Sequence, residues 1–84
     1  MSYALRMLGR AEKALATVPS PSYERIRDAI RGLADNARPR GCKKLVGRPA
    51  WRIRVGRFRV IYEIDETAKA ITVVDVGHRR DVYR

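Results

Sequence analysis

Residues 51–62 read WRIRVGRFRVIY, and this stretch decides the fold. Side chains alternate between the two faces of a strand, so two strands joined by a turn at Gly56-Arg57 would bring all the apolar residues onto one face. Gly56 suits the first central position of a type II′ turn, which requires a positive φ angle. The turn and the alternation therefore predict one register, with Val55 opposite Phe58, Arg54 opposite Arg59, Ile53 opposite Val60 and Trp51 opposite Tyr62.

The second face of this predicted hairpin carries Arg52, Arg54 and Arg59. Like charges directly opposite each other on neighbouring strands destabilise the pair, so selection for stability alone would not favour Arg54 facing Arg59. The alternative is an ordinary solvated strand face. We interpret the facing arginines as a site for a polyanion, and we assign Trp51 and Tyr62 to the core because they fall on the apolar face.

The whole chain is strongly basic and folded. Its 84 residues fit a single domain, 1–84, and 45% of them are hydrophobic, which is too many for a disordered basic tail. The formal net charge is +10 at pH 7, and no acidic residue lies between Asp35 and Glu63. A charge of this size and distribution predicts association with nucleic acid, ribosomes or an acidic protein.

Several classes of protein are excluded by what the sequence lacks. Cys42 is the only cysteine, so neither an intramolecular disulfide nor a cysteine-based metal cluster is expected. The N-terminal residues do not resemble a signal peptide, and no apolar run approaches the length of a membrane span. We predict a cytoplasmic protein without membrane association, metal or cofactor.

The segment before the hairpin predicts a strand and two helices. Alternation over residues 3–7 is typical of a short strand, and apolar residues recur at helical spacing over 10–18 until Pro19. Ser20 and Pro21 form a good N-cap and first-turn pair for a second helix through Leu33.

The segment after it predicts one further strand. Residues 42–46 are at most a short strand before the hairpin, and Ile71–Val76 is β-branched and apolar enough for a central position. We expect Gly77 to end that strand and residues 78–84 to leave the sheet as a charged tail. The order β-α-α-β-β-β predicts an α+β domain, in which two N-terminal helices pack on one face of a small, mainly antiparallel sheet and leave the arginine-bearing face open.

Four segments in this order resemble the RelE/ParE superfamily of bacterial toxins: LVGRP at 45–49, WRIRV at 51–55, RFRVIY at 57–62 and VGHRRDVYR at 76–84. The resemblance covers essentially the whole chain. It implies that the protein is the toxin of a toxin-antitoxin system. RelE-type members are ribosome-dependent endoribonucleases that cut mRNA in the decoding site, whereas ParE-type relatives share the fold and poison DNA gyrase.

The resemblance also implies roles for particular residues. The basic hairpin residues of the family match Arg52, Arg54 and Arg59, its arginine after the last strand matches Arg79, and its C-terminal tyrosine matches Tyr83. ParE-type relatives generally lack that full set, which favours the ribonuclease branch. The implied partners are the 70S ribosome with its mRNA and rRNA, and a RelB-like antitoxin with an acidic or amphipathic segment. The implied product carries a 2′,3′-cyclic phosphate.

Metal-free RNA cleavage needs a base for the 2′-hydroxyl, cations for the phosphorane and an acid for the 5′-oxygen. Arg59 and Arg54 suit the cationic role because the guanidinium fork matches phosphate oxygens. Arginine keeps its proton, so neither is a base.

The missing proton-transfer group must therefore come from the tail, from His78 or Tyr83, or from the ribosome itself. His78 is a candidate base or acid, with a structural histidine as the alternative. Tyr83 would stack on a base or transfer a proton, unless it simply packs on the sheet. Arg79 would bind the scissile phosphate or the leaving group.

The remaining cations are predicted to hold RNA rather than to react with it. Arg52 would position the phosphate backbone without reading sequence. A rim for ribosomal RNA is assigned to Lys43, Lys44, Arg48 and Arg57. Two alternatives stay open, namely a ParE-like gyrase inhibitor and a non-catalytic RNA-binding module.

Overall fold

A computed structural model describes residues 2–78, and the predicted Arg79 and Tyr83 lie outside them. The elements are β1 (Ala4–Met7), α1 (Gly9–Ala16), α2 (Ser22–Leu33), β2 (Lys43–Lys44), β3 (Trp51–Val55), β4 (Phe58–Asp65) and β5 (Ala70–His78). The α+β class and the order of strands and helices are confirmed. The segment 42–46 contributes only the two-residue strand β2.

The strands form one five-stranded sheet in the order β1-β5-β4-β3-β2. β1 runs parallel to β5, and the other neighbours are antiparallel. β5 lies between β1 and β4, as its apolar sequence predicts. The β3–β4 hairpin therefore lies beside β5. Side chains from β3, β4 and β5 lie next to one another on each face of the sheet.

The predicted hairpin register is confirmed at every position. Val55 pairs with Phe58, Arg54 with Arg59, Ile53 with Val60 and Trp51 with Tyr62. Gly56 has a φ of 60°, and Lys69 is the only non-glycine residue of the described chain with a positive φ. Arg57 thus has a negative φ, as the second central residue of a type II′ turn requires.

The two helices cover the apolar face of the sheet. Their fully buried side chains include Ile26 and Leu33, which pack with the strand residues Val60, Tyr62 and Ile71 in one core cluster. Trp51 and Phe58 are partly buried against the same cluster. The core assignment of Tyr62 and Trp51 is confirmed, and the arginines are left to the opposite face.

A second, smaller apolar cluster lies on that opposite face. It joins Ala50, Ile61 and Val74, with Leu45 packed against it. The loop 45–50 is closed by a hydrogen bond from the Leu45 N–H to the Ala50 carbonyl, 2.9 Å long. The expectation of a fully open face is therefore wrong, because apolar contacts of this loop cover part of it.

A β-bulge interrupts the pairing of β4 with β5. Ile61 pairs with Asp75 and Tyr62 with Val73, so Val74 is the extra residue. The bulge lets both Val73 and Val76 enter the core although they are three positions apart, while Val74 turns to the second cluster. The Nε–H of Arg10 donates to the Val74 carbonyl at 2.9 Å, which satisfies an oxygen at the irregular position.

Two predicted element ends are wrong. β5 continues through Gly77 to His78, because both residues still pair with β4, at Arg59 and Phe58. α2 begins at Ser22 with Pro21 as its N-cap, after a cis Ser20–Pro21 bond. Instead of capping, the Ser20 hydroxyl donates to the Glu24 carboxylate at 2.8 Å, and this hydrogen bond lowers the pKa of Glu24.

Glu66 links three separate parts of the chain. Its carboxylate accepts hydrogen bonds from Tyr3 at 2.9 Å, Arg38 at 3.0 Å and Lys69 at 3.3 Å. The bond from Tyr3, followed by those from Arg38 and Lys69, lowers the pKa of Glu66. These hydrogen bonds to ionised Glu66 stabilise the folded state at pH values above the ordinary pKa of a glutamate. Their contribution is lost as the pH falls through the lowered pKa of Glu66.

Tyr62→Phe is expected to reduce the free energy of unfolding by about 1–3 kcal/mol. The buried Tyr62 hydroxyl donates to the Ala37 carbonyl at 2.7 Å, and the variant leaves that carbonyl without its partner. Burial also raises the pKa of Tyr62 well above its ordinary value. The buried Tyr62 hydroxyl contributes its full stabilisation of the folded state below the ordinary tyrosine pKa of about 10. This contribution is lost as the pH rises through the raised pKa of Tyr62.

Guanidinium unfolding followed by the fluorescence of Trp51 checks this at neutral and alkaline pH. The difference in the free energy of unfolding between wild type and Tyr62→Phe should be smaller at alkaline pH than at neutral pH. Tyr23→Phe is the matched control, because Tyr23 is only partly buried and its hydroxyl makes no hydrogen bond in the described residues. Equal losses in the two variants would contradict the prediction.

Candidate nucleic-acid interface

The sheet face opposite the helices carries the predicted arginines, and we call it the arginine face. Arg54 on β3 lies directly opposite Arg59 on β4, which in turn pairs with Gly77 on β5. A second row runs Lys43, Arg52, Ile61 and Asp75 across β2, β3, β4 and β5. Directly paired residues share a face, so these two rows place four of the predicted cations together.

The arginines of this face differ in exposure. Arg59 and Arg52 are only 6% and 8% exposed, whereas Arg54 is exposed. Burying a guanidinium group is costly unless other groups compensate it, and both buried arginines do interact with other groups of the protein. A buried arginine is held in a defined position, which a solvated strand face would not require.

Gly77 lies beside Arg59 in the sheet. It pairs with Arg59 on the arginine face and has no side chain to project there. The arrangement of exposed Arg54 opposite buried Arg59 suits a phosphate group held between the two guanidinium groups.

The predicted RNA-binding rim is only partly assembled on this face. Lys43 pairs with Arg52 and shares its face, but Lys44 pairs with Trp51 and lies on the other. Arg57 is exposed in the hairpin turn, and Arg48 is exposed in the loop that packs on the second cluster. Arg48 and Arg57 thus flank the face from a loop and from the end of the sheet.

His78 lies on the helix-covered face. It pairs with Phe58, which packs against the main core, and the two rings meet edge to face with centroids 6.0 Å apart. The structure does not bring His78 together with Arg54 and Arg59. Its role as a base stays a sequence-based prediction, as do the roles of Arg79 and Tyr83 outside residues 2–78.

The sequence analysis missed Asp75. The bulge places its carboxylate on the arginine face, in the row of Arg52 and diagonal to Arg59. It is partly buried, and its Oδ1 accepts a hydrogen bond from the Val76 N–H at 2.9 Å. An aspartate inside an otherwise apolar strand was the available signal, but its face depends on the bulge.

A groove of about 670 Å³ runs along the outer edge of β3. β2 pairs only with Trp51 and Arg52, so residues 53–55 have no strand neighbour on that side within residues 2–78. The groove is bounded by the end of α2 at Ala29 and Gly32, and by Arg40 and Lys43. Among residues 2–78, no acidic side chain lines the groove, and an acidic extended chain fits these residues in charge.

Two further findings concern metal ligands and membrane-spanning helices. Among residues 2–78, no three histidine, cysteine or acidic side chains are grouped to hold a metal ion. No helix within those residues is both long and apolar enough to span a membrane.

The fold and the basic face define the class of protein, and a family comparison defines it more narrowly. The mixed sheet with two helices on one face and arginines on the other is that of a RelE-like toxin. Residues 4–83 match the family model of the ParE toxin of type II toxin-antitoxin systems. The chain belongs to this family within the RelE/ParE superfamily and is the toxin of a type II toxin-antitoxin system.

Solved structures share the fold of this chain. The chain is similar to RelE in the archaeal RelE-RelB complex from Pyrococcus horikoshii, with 27% identity, a TM-score of 0.84, and coverage of 98% of this chain and 100% of that one. The intact E. coli RelBE complex gives 22% identity, a TM-score of 0.81, and coverage of 92% and 96%. The YoeB/ParE toxin from Agrobacterium tumefaciens is 17% identical, with a TM-score of 0.78 and coverage of 90% of this chain and 98% of that one. No curated protein matches the chain.

Proposed function

We propose that this toxin is a metal-independent endoribonuclease that cuts mRNA in the ribosomal A site and so inhibits translation. The observation that carries the proposal is the buried Arg59, which lies directly opposite Arg54 and pairs with Gly77. Such a site costs stability and is suited to a phosphate. The similarity to RelE from Pyrococcus horikoshii supports the same branch.

The arginine face supplies the electrostatic part of the reaction. As the 2′-hydroxyl attacks the phosphorus, negative charge grows on the phosphorane oxygens, and Arg59 and Arg54 stabilise it through charge-assisted hydrogen bonds. Arg52 holds the neighbouring backbone in register. Arg79 and Tyr83 are proposed to act on the leaving group and the stacked base. Lys43, Lys44, Arg48 and Arg57 contact ribosomal RNA in a salt-dependent way.

The match to a ParE family model favours a second candidate, a gyrase inhibitor that needs no catalytic group. One pair of assays separates the two. Purified toxin is added to ribosomes that are translating a defined mRNA, and primer extension locates any cut; in parallel, gyrase supercoiling is measured. Codon-positioned cuts that require the ribosome support the ribonuclease. Inhibited supercoiling with intact mRNA would replace it with the gyrase inhibitor, and salt-sensitive RNA binding alone would leave a binding module.

We also propose that the cognate antitoxin docks an acidic extended segment in the groove beside β3. The free edge at residues 53–55 offers backbone hydrogen bonds to an added strand, and Arg40 and Lys43 complement its charge.

Lys43→Glu is expected to weaken antitoxin binding about tenfold or more at low salt, and less at high salt, because it places an acidic residue against an acidic segment. Lys13→Glu on α1 makes the same charge change away from the groove and is the control. Titration calorimetry with the antitoxin checks both. Equal weakening in the two variants would point to net charge alone and would contradict docking in the groove.

A further inference from the structure

We propose that Asp75 is the general base that takes the proton from the attacking 2′-hydroxyl. This inference rests on the proposed ribonuclease function. The hairpin itself offers only arginines, which do not lose their protons. Asp75 is a carboxylate that the sheet brings to the same face as Arg54 and Arg59.

The position of Asp75 follows from the pairing register. Arg59 pairs with Gly77, and Asp75 lies two residues earlier on β5, so it is a diagonal neighbour of Arg59. Diagonal neighbours on one face are separated by roughly 7–8 Å between backbone positions, within reach of long side chains. A phosphate bound by Arg59 over Gly77 would thus bring the adjoining ribose over Asp75.

The bulge makes this placement possible. If β5 alternated regularly through Val74, without the bulge, Asp75 would lie on the helix side of the sheet, the same side as the buried Val73. The hydrogen bond from Arg10 to the Val74 carbonyl supports the irregular backbone from the first turn of α1. Bulges recur next to active sites because they change the direction of a side chain. Arg10 is accordingly a positioning residue.

The carboxylate is also available for proton transfer. Its one hydrogen bond within the described residues is the bond that Oδ1 accepts from the Val76 N–H, and it forms no ion pair there. Among residues 2–78, the charged residues that the pairing places on the same face include Arg59 and Glu63 on β4, Arg52 and Arg54 on β3, Lys43 on β2 and Arg6 on β1. Arg10 on α1 donates to the neighbouring Val74 carbonyl.

The proton and bond changes balance. Asp75 accepts the 2′-hydroxyl proton, the 2′-oxygen forms a bond to phosphorus, and the bond from phosphorus to the 5′-oxygen breaks. The 5′-oxygen takes a proton from water, and Asp75 returns its own proton to water. The net result is a 2′,3′-cyclic phosphate and a 5′-hydroxyl, with no metal or redox partner in the step.

The test is the pH dependence of mRNA cleavage by the full chain on programmed ribosomes. The wild-type rate should change little between about pH 6 and pH 8, because a side chain of the protein rather than hydroxide takes the proton. Asp75→Asn should lower the rate by about 10²–10⁴-fold, and its residual rate should rise about tenfold per pH unit as hydroxide replaces the base. Asp75→Glu should recover part of the loss. Glu63→Gln, an exposed carboxylate on the same face, is the matched control and should behave as wild type.

Each outcome decides the matter. If the wild type does not cleave mRNA, the ribonuclease function itself fails, and the role of Asp75 fails with it. If the wild type cleaves and Asp75→Asn cleaves at a similar rate, only the role of Asp75 is overturned. A slower Asp75→Asn with a flat pH profile also overturns it, because a folding defect would lower the rate without changing its pH dependence. Asn keeps an acceptor for the Val76 N–H, and thermal unfolding of each variant checks the fold.

Discussion

Arg59→Ala is expected to reduce cleavage of ribosome-bound mRNA by about 10²–10³-fold, the usual cost of removing one preorganised donor to a developing oxyanion. Arg59 is 6% exposed and lies between Arg54 on β3 and Gly77 on β5. Its guanidinium group is already ordered before RNA binds, so little reorganisation is needed at the transition state. The loss should appear in the single-turnover rate constant more than in RNA affinity.

Two variants make this prediction specific. Arg59→Lys retains the charge but loses the two-pronged geometry, so its rate should lie between those of the wild type and Arg59→Ala. Arg31→Ala removes an exposed arginine on α2, on the other side of the sheet, and should change the rate by no more than about twofold. Thermal unfolding separates loss of fold from loss of chemistry. A folded Arg59→Ala with a near wild-type rate would refute the catalytic role.

Ile71→Ala is expected to reduce the free energy of unfolding by about 2–5 kcal/mol. Ile71 is fully buried in the main core beneath the helices. A domain of this size has a total stability of roughly 4–13 kcal/mol, so the variant would lose a large fraction of it. The thermal midpoint should fall by about 10 °C or more.

Leu5→Ala is the matched control for this change. Leu5 pairs directly with Ile71 across the β1–β5 ladder but is 36% exposed at the sheet edge. Its truncation removes a partly solvated side chain and should cost about 1 kcal/mol. Urea unfolding, followed by the fluorescence of Trp51, measures both losses. If the two variants lose the same stability, the core does not centre on β5 as the structure indicates.

The register of the β3–β4 hairpin could be predicted from the sequence alone. The hairpin's alternation and the Gly56-Arg57 turn predicted every pair from Trp51–Tyr62 to Val55–Phe58, and the structure has the same pairs. This succeeds because strand alternation and turn geometry are both local, and they agree on one register. The same local rules correctly assigned Tyr62 to the core and Arg54 opposite Arg59.

The bulge and the end of β5 could not be predicted from strand alternation and turn residues alone. The apolar run of β5 predicted a central strand, yet nothing within the run indicated the bulge at Val74, because a bulge depends on how two strands fit each other and the helix above them. The predicted stop at Gly77 failed for a related reason, since pairing with Arg59 continues the strand. As a result, the sequence analysis overlooked Asp75, and it gave no sign that His78 would face the helices.

By itself, the sequence determined the α+β order, the hairpin register, the basic character and the toxin family. These properties follow from periodicity, turn chemistry and charge, all of which are carried by neighbouring residues. Only the tertiary structure decided that Arg59 is buried, that Asp75 shares its face and that the outer edge of β3 borders a groove. Those features arise from contacts between residues distant in the chain, where packing of the loop, the helices and the last strand sets each side chain's surroundings.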